Sequence, residues 1–195
     1  MGILILAVVT LPLLTALFLK VANRFLNELL TNFITINAAL LSVAVSFFMF
    51  GYLLLDKFKP IKFELFEWYP SPQIIFEFYL DGLSGVMMIL ISGLSLVIQL
   101  FSTSYMSKDE KYTKYFEYFN FFVFSMLLLV LSGNFLVMFF GWELVGLSSY
   151  LLISFWYEKN SAAKAGNKAF ILNRIGDFGF LIGLMMILNY FETFN

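Results

Sequence analysis

Three ionisable residues sit where a membrane helix accommodates them least. Glu143 lies in the apolar run that follows Ser132-Gly133-Asn134, and Arg174 and Asp177 lie in the run that ends near Tyr190. A charge at the bilayer centre costs at least ~2.5–3.5 kcal/mol on insertion scales, so such residues face a protein interior or a wet cavity and mark ion or proton paths. The chemistry they could do is proton movement. Burial raises a carboxylate pKa and a nearby cation lowers it, so a buried Glu beside a movable cation can be tuned across neutral pH. Arg174 and Asp177 are three residues apart on one helix face, which makes them neighbours and favours an ionised Asp177. Glu143 has no cation within a turn, so its partner must come from another helix, and it is the expected titrating group. As a purely structural alternative, Arg174 and Asp177 could simply neutralise one another. Lys164, Lys168 and Tyr150 are secondary candidates for the same path, with Lys164 and Lys168 equally readable as interfacial lysines whose stems lie along the membrane.

The elements that position these groups follow from composition and run length. The chain has 195 residues, 61% hydrophobic and 13% charged, with mean hydropathy +0.88. That composition belongs to the polytopic membrane class. A net charge of −1 gives no footprint for nucleic acid. Zero Cys and zero His exclude disulfides, thiolate or imidazole metal sites and iron–sulfur ligation. A proton relay must therefore use carboxylates, Lys, hydroxyls and water.

The expected fold is an all-α polytopic membrane protein of about six transmembrane helices. Residues 1–55 hold two of them, Gly2 to Leu19 and Phe33 to Leu55; the first reads as a retained helix rather than a cleaved signal, since no basic region precedes it. Residues 56–81 form the only long polar connection. Its period-two alternation around Pro70-Ser71-Pro72-Gln73 reads equally as a β-hairpin at the membrane surface or as an irregular interfacial loop anchored by Trp68 and Tyr69. Residues 82–195 hold four more helices. The third, Leu83 to Met106, carries Ser84, Gly85, Ser92, Gly93 and Ser95, small residues that suit close packing between neighbours. The run from Phe119 to Trp156 is far longer than the ~30 Å hydrocarbon core, so it must be two helices that reverse at Ser132-Gly133-Asn134. That gives a fourth helix from near Tyr115 to Leu131 and a fifth from Phe135 to Trp156, followed by a sixth from about Lys168 to Tyr190. Tyr112, Tyr115 and Tyr118 read as an aromatic belt, and Gly176, Gly179 and Gly183 as a packing stripe.

Depth arithmetic then places the charges. Glu143 lies about 12 Å in from one face and Asp177 about 14 Å in from the other, which in a ~30 Å core is one layer to within about 4 Å. Lys20, Arg24, Lys108, Lys111, Lys114, Lys159, Lys164 and Lys168 fall in one set of loops, and Lys57, Lys59 and Lys62 in the other. The positive-inside rule therefore predicts both termini on the outer side.

Three strings carry a resemblance: Phe78-Tyr79-Leu80-Asp81-Gly82-Leu83-Ser84, then Gly141-Trp142-Glu143-Leu144-Val145-Gly146-Leu147-Ser148-Ser149-Tyr150, then Asn173-Arg174-Ile175-Gly176-Asp177 after a Phe155-Trp156-Tyr157-Glu158-Lys159 loop. Together they resemble the amino-terminal part of the chain 5 family of NADH–ubiquinone oxidoreductases, the distal antiporter-like subunits of respiratory complex I. The resemblance is close from about residue 76 to 190 and covers residues 1–75 mainly in layout. It implies an antiporter-like fold in the mitochondrial inner membrane, incomplete here because the family continues through roughly ten more helices. Glu143 would match the family's essential mid-membrane glutamate, and Arg174 with Asp177 its charged pair. The chain would be a membrane subunit of a proton-translocating NADH:ubiquinone reductase, not catalytic alone. Its expected partners are lipid, the other membrane-arm subunits and a polypeptide supplying the rest of chain 5. No cofactor is expected on this chain; NADH, FMN, iron–sulfur clusters and ubiquinone belong to the complex as a whole. On this reading Glu143 awaits a cation from outside the chain. A cation/proton antiporter subunit without a redox partner and a non-pumping scaffold are the competing readings.

Overall fold

The computed structural model describes residues 1–70 and 73–194. Six helices and one hairpin follow in order: α1 Gly2–Ala22, α2 Glu28–Leu55, β1 Ile61–Pro70, β2 Gln73–Leu80, α3 Gly82–Tyr105, α4 Tyr112–Val130, α5 Phe135–Ile153 and α6 Asn160–Phe191. Five of them, all but α4, are long and apolar enough to cross a membrane. The chain is a multi-pass membrane protein. Helix α4 carries Lys114, Glu117 and Asn120 in its first half, yet it runs between the same two ends as its neighbours. At one end the Tyr112 hydroxyl donates to Asn32 Oδ1 at the start of α2 (2.5 Å). At the other, the residue after the helix accepts from β2, which leads into the start of α3.

Local signals set most boundaries. Asp81 caps α3: its carboxylate accepts from the Ser84 amide (2.8 Å) while the Ser84 hydroxyl accepts from the Asp81 amide (2.7 Å), satisfying two otherwise orphaned donors. Desolvation pushes the Asp81 carboxyl up, but the Ser84 and Leu83 hydrogen bonds prevail and hold it below the usual carboxylate value. Asn134 caps α5 by accepting from the Val137 amide (2.9 Å).

Of the two readings of the long connection, the hairpin is the one present: β1 and β2 pair antiparallel, Ile61 opposite Leu80, with irregularities between Glu64 and Phe66 and between Glu67 and Tyr69. The expected turn at Ser71-Pro72 and the side chains of Trp68 and Tyr69 lie outside the described residues. The hairpin docks on the reversal between α4 and α5. The Tyr79 amide donates to the Leu131 carbonyl and the Gly133 amide to the Glu77 carbonyl, both at 2.9 Å, and Asn134 Nδ2 donates to the Ile75 carbonyl at 2.6 Å. A Cβ on Gly133 would come within 2.5 Å of Glu77 Cγ, so this close approach requires glycine. Gly2 packs on Phe63 of β1, and the Phe135 amide donates to the Phe194 carbonyl. Both ends of the chain therefore lie on the hairpin side of the bundle.

The main core gathers where α1, α2, α3, α4 and the hairpin meet, with Leu53, Phe78, Leu80, Met88, Leu127 and Leu131 nearly free of solvent. In α3, Ser84, Gly85, Ser92 and Ser95 are buried as expected; Gly85 packs against α2, leaving room for Phe50 and Leu53 at 3.0–3.1 Å from where a Cβ would stand. Gly93 instead faces open space.

Three expectations are corrected. Helix α6 begins at Asn160, not near Lys168, because the polar segment with Ala162, Ala163, Lys164 and Ala165 is made of good helix formers. Helix α5 correspondingly ends at Ile153, leaving a short link. Helix α2 begins at Glu28, capped by Asn27, rather than at Phe33. Tyr112 and Tyr115 are not a belt: Tyr112 is buried and bonded to Asn32, and the Tyr115 hydroxyl meets Ser102 Oγ at 3.0 Å, so they stitch α4 to α2 and α3.

Candidate functional site

The reversal at Ser132-Gly133-Asn134 sends α5 back through the bundle, and the short link after Ile153 brings α6 against it. Residues from these two antiparallel helices form one charged cluster. Arg174 Nη1 donates to Glu143 Oε2 in a short contact, and the same nitrogen lies 3.5 Å from Asp177 Oδ2. The Trp142 indole donates to Asp177 Oδ1 at 3.0 Å. The three candidate site residues thus sit together, in the shared layer that the depth arithmetic requires. Side-chain exposure is 10% for Asp177, 21% for Glu143 and 39% for Arg174, so the acids are the more enclosed members.

This geometry overturns one expectation. Glu143 does not await a cation from another polypeptide; Arg174 supplies it. The error lay in assigning Arg174 wholly to Asp177 from their spacing on one helix. A guanidinium presents several donors in a planar fork, and the antiparallel packing of α5 on α6 lets one group serve acids on both.

Two aromatic residues that sequence reasoning passed over complete the cluster. Trp142 fixes Asp177 from α5, and its ring meets Phe180 edge-on with centroids 6.0 Å apart. Phe170 lies under Arg174, ring centroid 4.9 Å from Cζ, where the guanidinium gains a cation–π contact. A Trp well inside an apolar run, away from the run's ends where an indole N–H is easily satisfied, was the available signal.

The secondary candidates are dispersed. Tyr150 packs on the other contact of Phe170, with ring centroids 5.4 Å apart, and it borders a small cavity shared with Lys111 and Lys114. Lys164 and Lys168 are exposed in the early turns of α6. A Cβ on Gly176, Gly179 or Gly183 would meet nothing within 4 Å among the described residues, so the glycine stripe faces open space. No group of three or more acidic residues suited to a metal ion occurs among the described residues.

Two family descriptions match this arrangement in order along the chain: the chain 5 amino-terminus of NADH–ubiquinone oxidoreductase (complex I) at residues 68–116, and the transmembrane region of NADH:quinone oxidoreductase/Mrp antiporters at residues 132–195. The chain corresponds to the amino-terminal part of the chain 5 family. Subunit L of the NADH-quinone oxidoreductase of Rickettsia bellii is 36% identical over 190 residues, covering 96% of this chain and 29% of that protein. The NADH-ubiquinone oxidoreductase chain 5 of Acanthamoeba castellanii is 37% identical over 186 residues, covering 94% of this chain and 27% of that protein. The chain thus spans less than a third of the length of these chain 5 relatives. A chain in the archaeal membrane-bound sulfane sulfur reductase complex superposes over all of this one with a TM-score of 0.87 at 22% identity, covering 39% of that chain, which shows a shared fold. The match to the transmembrane region of NADH:quinone oxidoreductase/Mrp antiporters spans the Gly141-Trp142-Glu143 helix and the Asn173-Arg174-Ile175-Gly176-Asp177 helix alike, so both halves of the charged cluster lie within it.

Proposed function

We propose that this chain forms part of the proton-translocating membrane arm of a respiratory NADH:quinone oxidoreductase, in which Glu143, Arg174 and Asp177 are a charge relay on the proton path. The observation that carries the reading is one guanidinium shared by two carboxylates from two apolar helices, α5 and α6, of a chain that resembles the chain 5 family. Arginine stays protonated, so the cluster changes charge only through its acids. When Glu143 takes a proton it no longer holds the guanidinium electrostatically, and Arg174 is left to Asp177. When Glu143 releases the proton, the shared geometry returns. The Trp142 hydrogen bond to Asp177 supports assigning Asp177 the role of anchor and Glu143 that of proton carrier in this proposal. A group whose charge state moves an arginine between two partners can pass an electrostatic signal along a membrane without conducting electrons.

Quinone reduction elsewhere in such a complex would supply the driving energy, and other membrane-arm subunits would be the partners. NADH, FMN, iron–sulfur clusters and ubiquinone would be held by those other chains. Lys164, Lys168 and Tyr150 would collect protons at the end of the bundle opposite the hairpin.

The family description that joins quinone oxidoreductases to Mrp antiporters supports one further reading, a cation/proton exchanger with no redox partner. Purification of the native membrane assembly separates the two. NADH–quinone reductase activity travelling with the chain supports the respiratory reading. Sodium/proton exchange in proteoliposomes without NADH, and no reductase activity, would replace it with the exchanger.

A further inference from the structure

A cavity of about 560 Å³ opens between α1, α4 and the end of α5, away from the charged cluster and on the side of the bundle opposite the hairpin. Its volume falls within the ~300–1,000 Å³ of ordinary ligand sites. The lining is polar at one end and apolar at the other. Lys20 and Asn23 from the end of α1, with Lys114, Glu117 and Tyr118 from the start of α4, form the polar mouth. Leu13, Ala16 and Phe121 continue it towards the membrane interior. Leu13 is nine residues before the end of α1, so the apolar part reaches about 14 Å inward from the interface.

Charge sets the occupant. Two lysines flank one acid: Lys20 and Lys114 both act electrostatically on Glu117. The mouth therefore keeps one net positive charge, from two Lys less one Glu, beside the amide of Asn23 and the hydroxyl of Tyr118. The Lys114 ammonium rests 5.6 Å from the Tyr118 ring centroid, which holds it at the rim. A second cavity of about 170 Å³ adjoins the first, sharing Lys114, Tyr118 and Leu151 and adding Lys111. Lys111 is already bonded to Glu158 at 2.5 Å, which raises its pKa, so it adds no free charge to the mouth. The face holding this mouth also carries the excess of Lys and Arg. A basic mouth at the interface above an apolar slot between helices fits a phospholipid with a singly charged headgroup and one acyl chain.

We infer that the groove between α1 and α4 binds an anionic phospholipid of the positively lined leaflet, its phosphodiester between Lys20 and Lys114 and one acyl chain along Leu13, Ala16 and Phe121. The lipid would tie α1 to α4, whose first turn carries a lysine where helices favour an acid. The inference is independent of the role assigned to Glu143 and Arg174.

The test is native mass spectrometry of the membrane assembly that carries this chain, released from nanodiscs of phosphatidylcholine containing about one-fifth phosphatidylglycerol. Phosphatidylglycerol is expected to stay bound to this chain in preference to phosphatidylcholine. The double variant Lys20→Ala/Lys114→Ala should retain it about 10- to 30-fold less, while Lys20→Arg/Lys114→Arg and the control Lys159→Ala should retain it as the native chain does. Leu13→Trp, which fills the slot and leaves the lysines, should also release it. Equal retention of both lipids by the native chain would overturn the inference without any variant. So would unchanged retention in the double Ala variant, or displacement of the headgroup by inorganic phosphate with no effect of Leu13→Trp, which would mark a free-anion site.

Discussion

Two polar seams cross this apolar bundle, and they satisfy their polar atoms in opposite ways. On α2 and α3 the buried groups are neutral: Thr35, Ser42 and Ser46 on one helix, Ser92, Ser95, Gln99 and Ser102 on the other, with Ser102 turned to Tyr115 of α4. Most return their proton to their own helix. Thr35 donates to the Thr31 carbonyl (2.9 Å), Ser46 to Ser42 (2.7 Å) and Ser95 to Ser92 (2.7 Å). Between α5 and α6 the groups are charged, and none is satisfied on its own helix alone. Hydroxyls bonded to their own helix cost little in lipid and let backbones approach, so that seam is packing. Charges must recruit a neighbouring helix, so the α5–α6 seam ties two elements together and is where the proposed proton step is placed.

The largest effect that would break this contrast is Arg174→Leu. It strands two carboxylates at once, and a fully buried loss of this kind costs about 3–5 kcal/mol; the 39% exposure of Arg174 reduces that to roughly 1–3 kcal/mol. We expect lower thermal stability in detergent and loss of proton translocation. A native melting temperature and native proton output would show that the cluster holds nothing together and carries nothing.

Next in size is the pair Glu143→Gln and Asp177→Asn. Both keep shape and remove a charge; under the proposed relay Glu143→Gln should lower proton output more, because Asp177 has the Trp142 indole as a second partner. The opposite ranking, measured as protons per NADH, would exchange the two roles.

A third carboxylate sharpens the comparison from outside the helices. Glu77 in β2 is buried, its Oε1 has no hydrogen-bond partner among the described residues, and Lys62 acts on it as an opposite charge. Desolvation pushes its pKa up from 4.5; Lys62 opposes this and Glu64 adds to it. The folded state therefore binds the proton more tightly than the unfolded chain. Docking of the hairpin is fully stabilised below the ordinary carboxylate value and loses that contribution as pH rises through the raised one. Hydrogen exchange at the Tyr79 and Gly133 amides, corrected for intrinsic pH dependence, should speed up across that window, and Glu77→Gln should abolish the pH effect. Equal pH dependence in both proteins would remove Glu77 from the account.

The smallest effect is Ser42→Ala. The Ser42 hydroxyl is buried without a partner among the described residues, so its removal should leave the melting temperature unchanged or slightly raised, whereas Ser46→Ala should cost about 0.6 kcal/mol. A large loss in either would mean the neutral seam does more than pack.

Much of this was legible in the residues. Run length separated α4 from α5, and Ser132-Gly133-Asn134 marked the reversal, because no other turn-forming cluster interrupts that run. Alternation from Ile61 to Leu65 gave the hairpin. The start of α6 was hidden because polar, alanine-rich sequence propagates a helix outside the apolar core as readily as within it. The pairing of Arg174 with Glu143 was hidden for a different reason: spacing on one helix reveals neighbours on that helix, while a contact across two helices depends on their rotation against each other. The same limit misplaced Tyr112 and Tyr115, whose hydroxyls turn inward to partners far along the chain.

Whether Glu143 carries protons decides between a relay and a purely structural cluster. The most direct measurement is proton uptake per NADH oxidised in proteoliposomes holding the assembled enzyme with Glu143→Gln in this chain. Retained quinone reduction with fewer protons moved per NADH is the expected result. The same ratio as in the native enzyme, with reductase activity intact, would contradict it and leave the α5–α6 charges as structure alone.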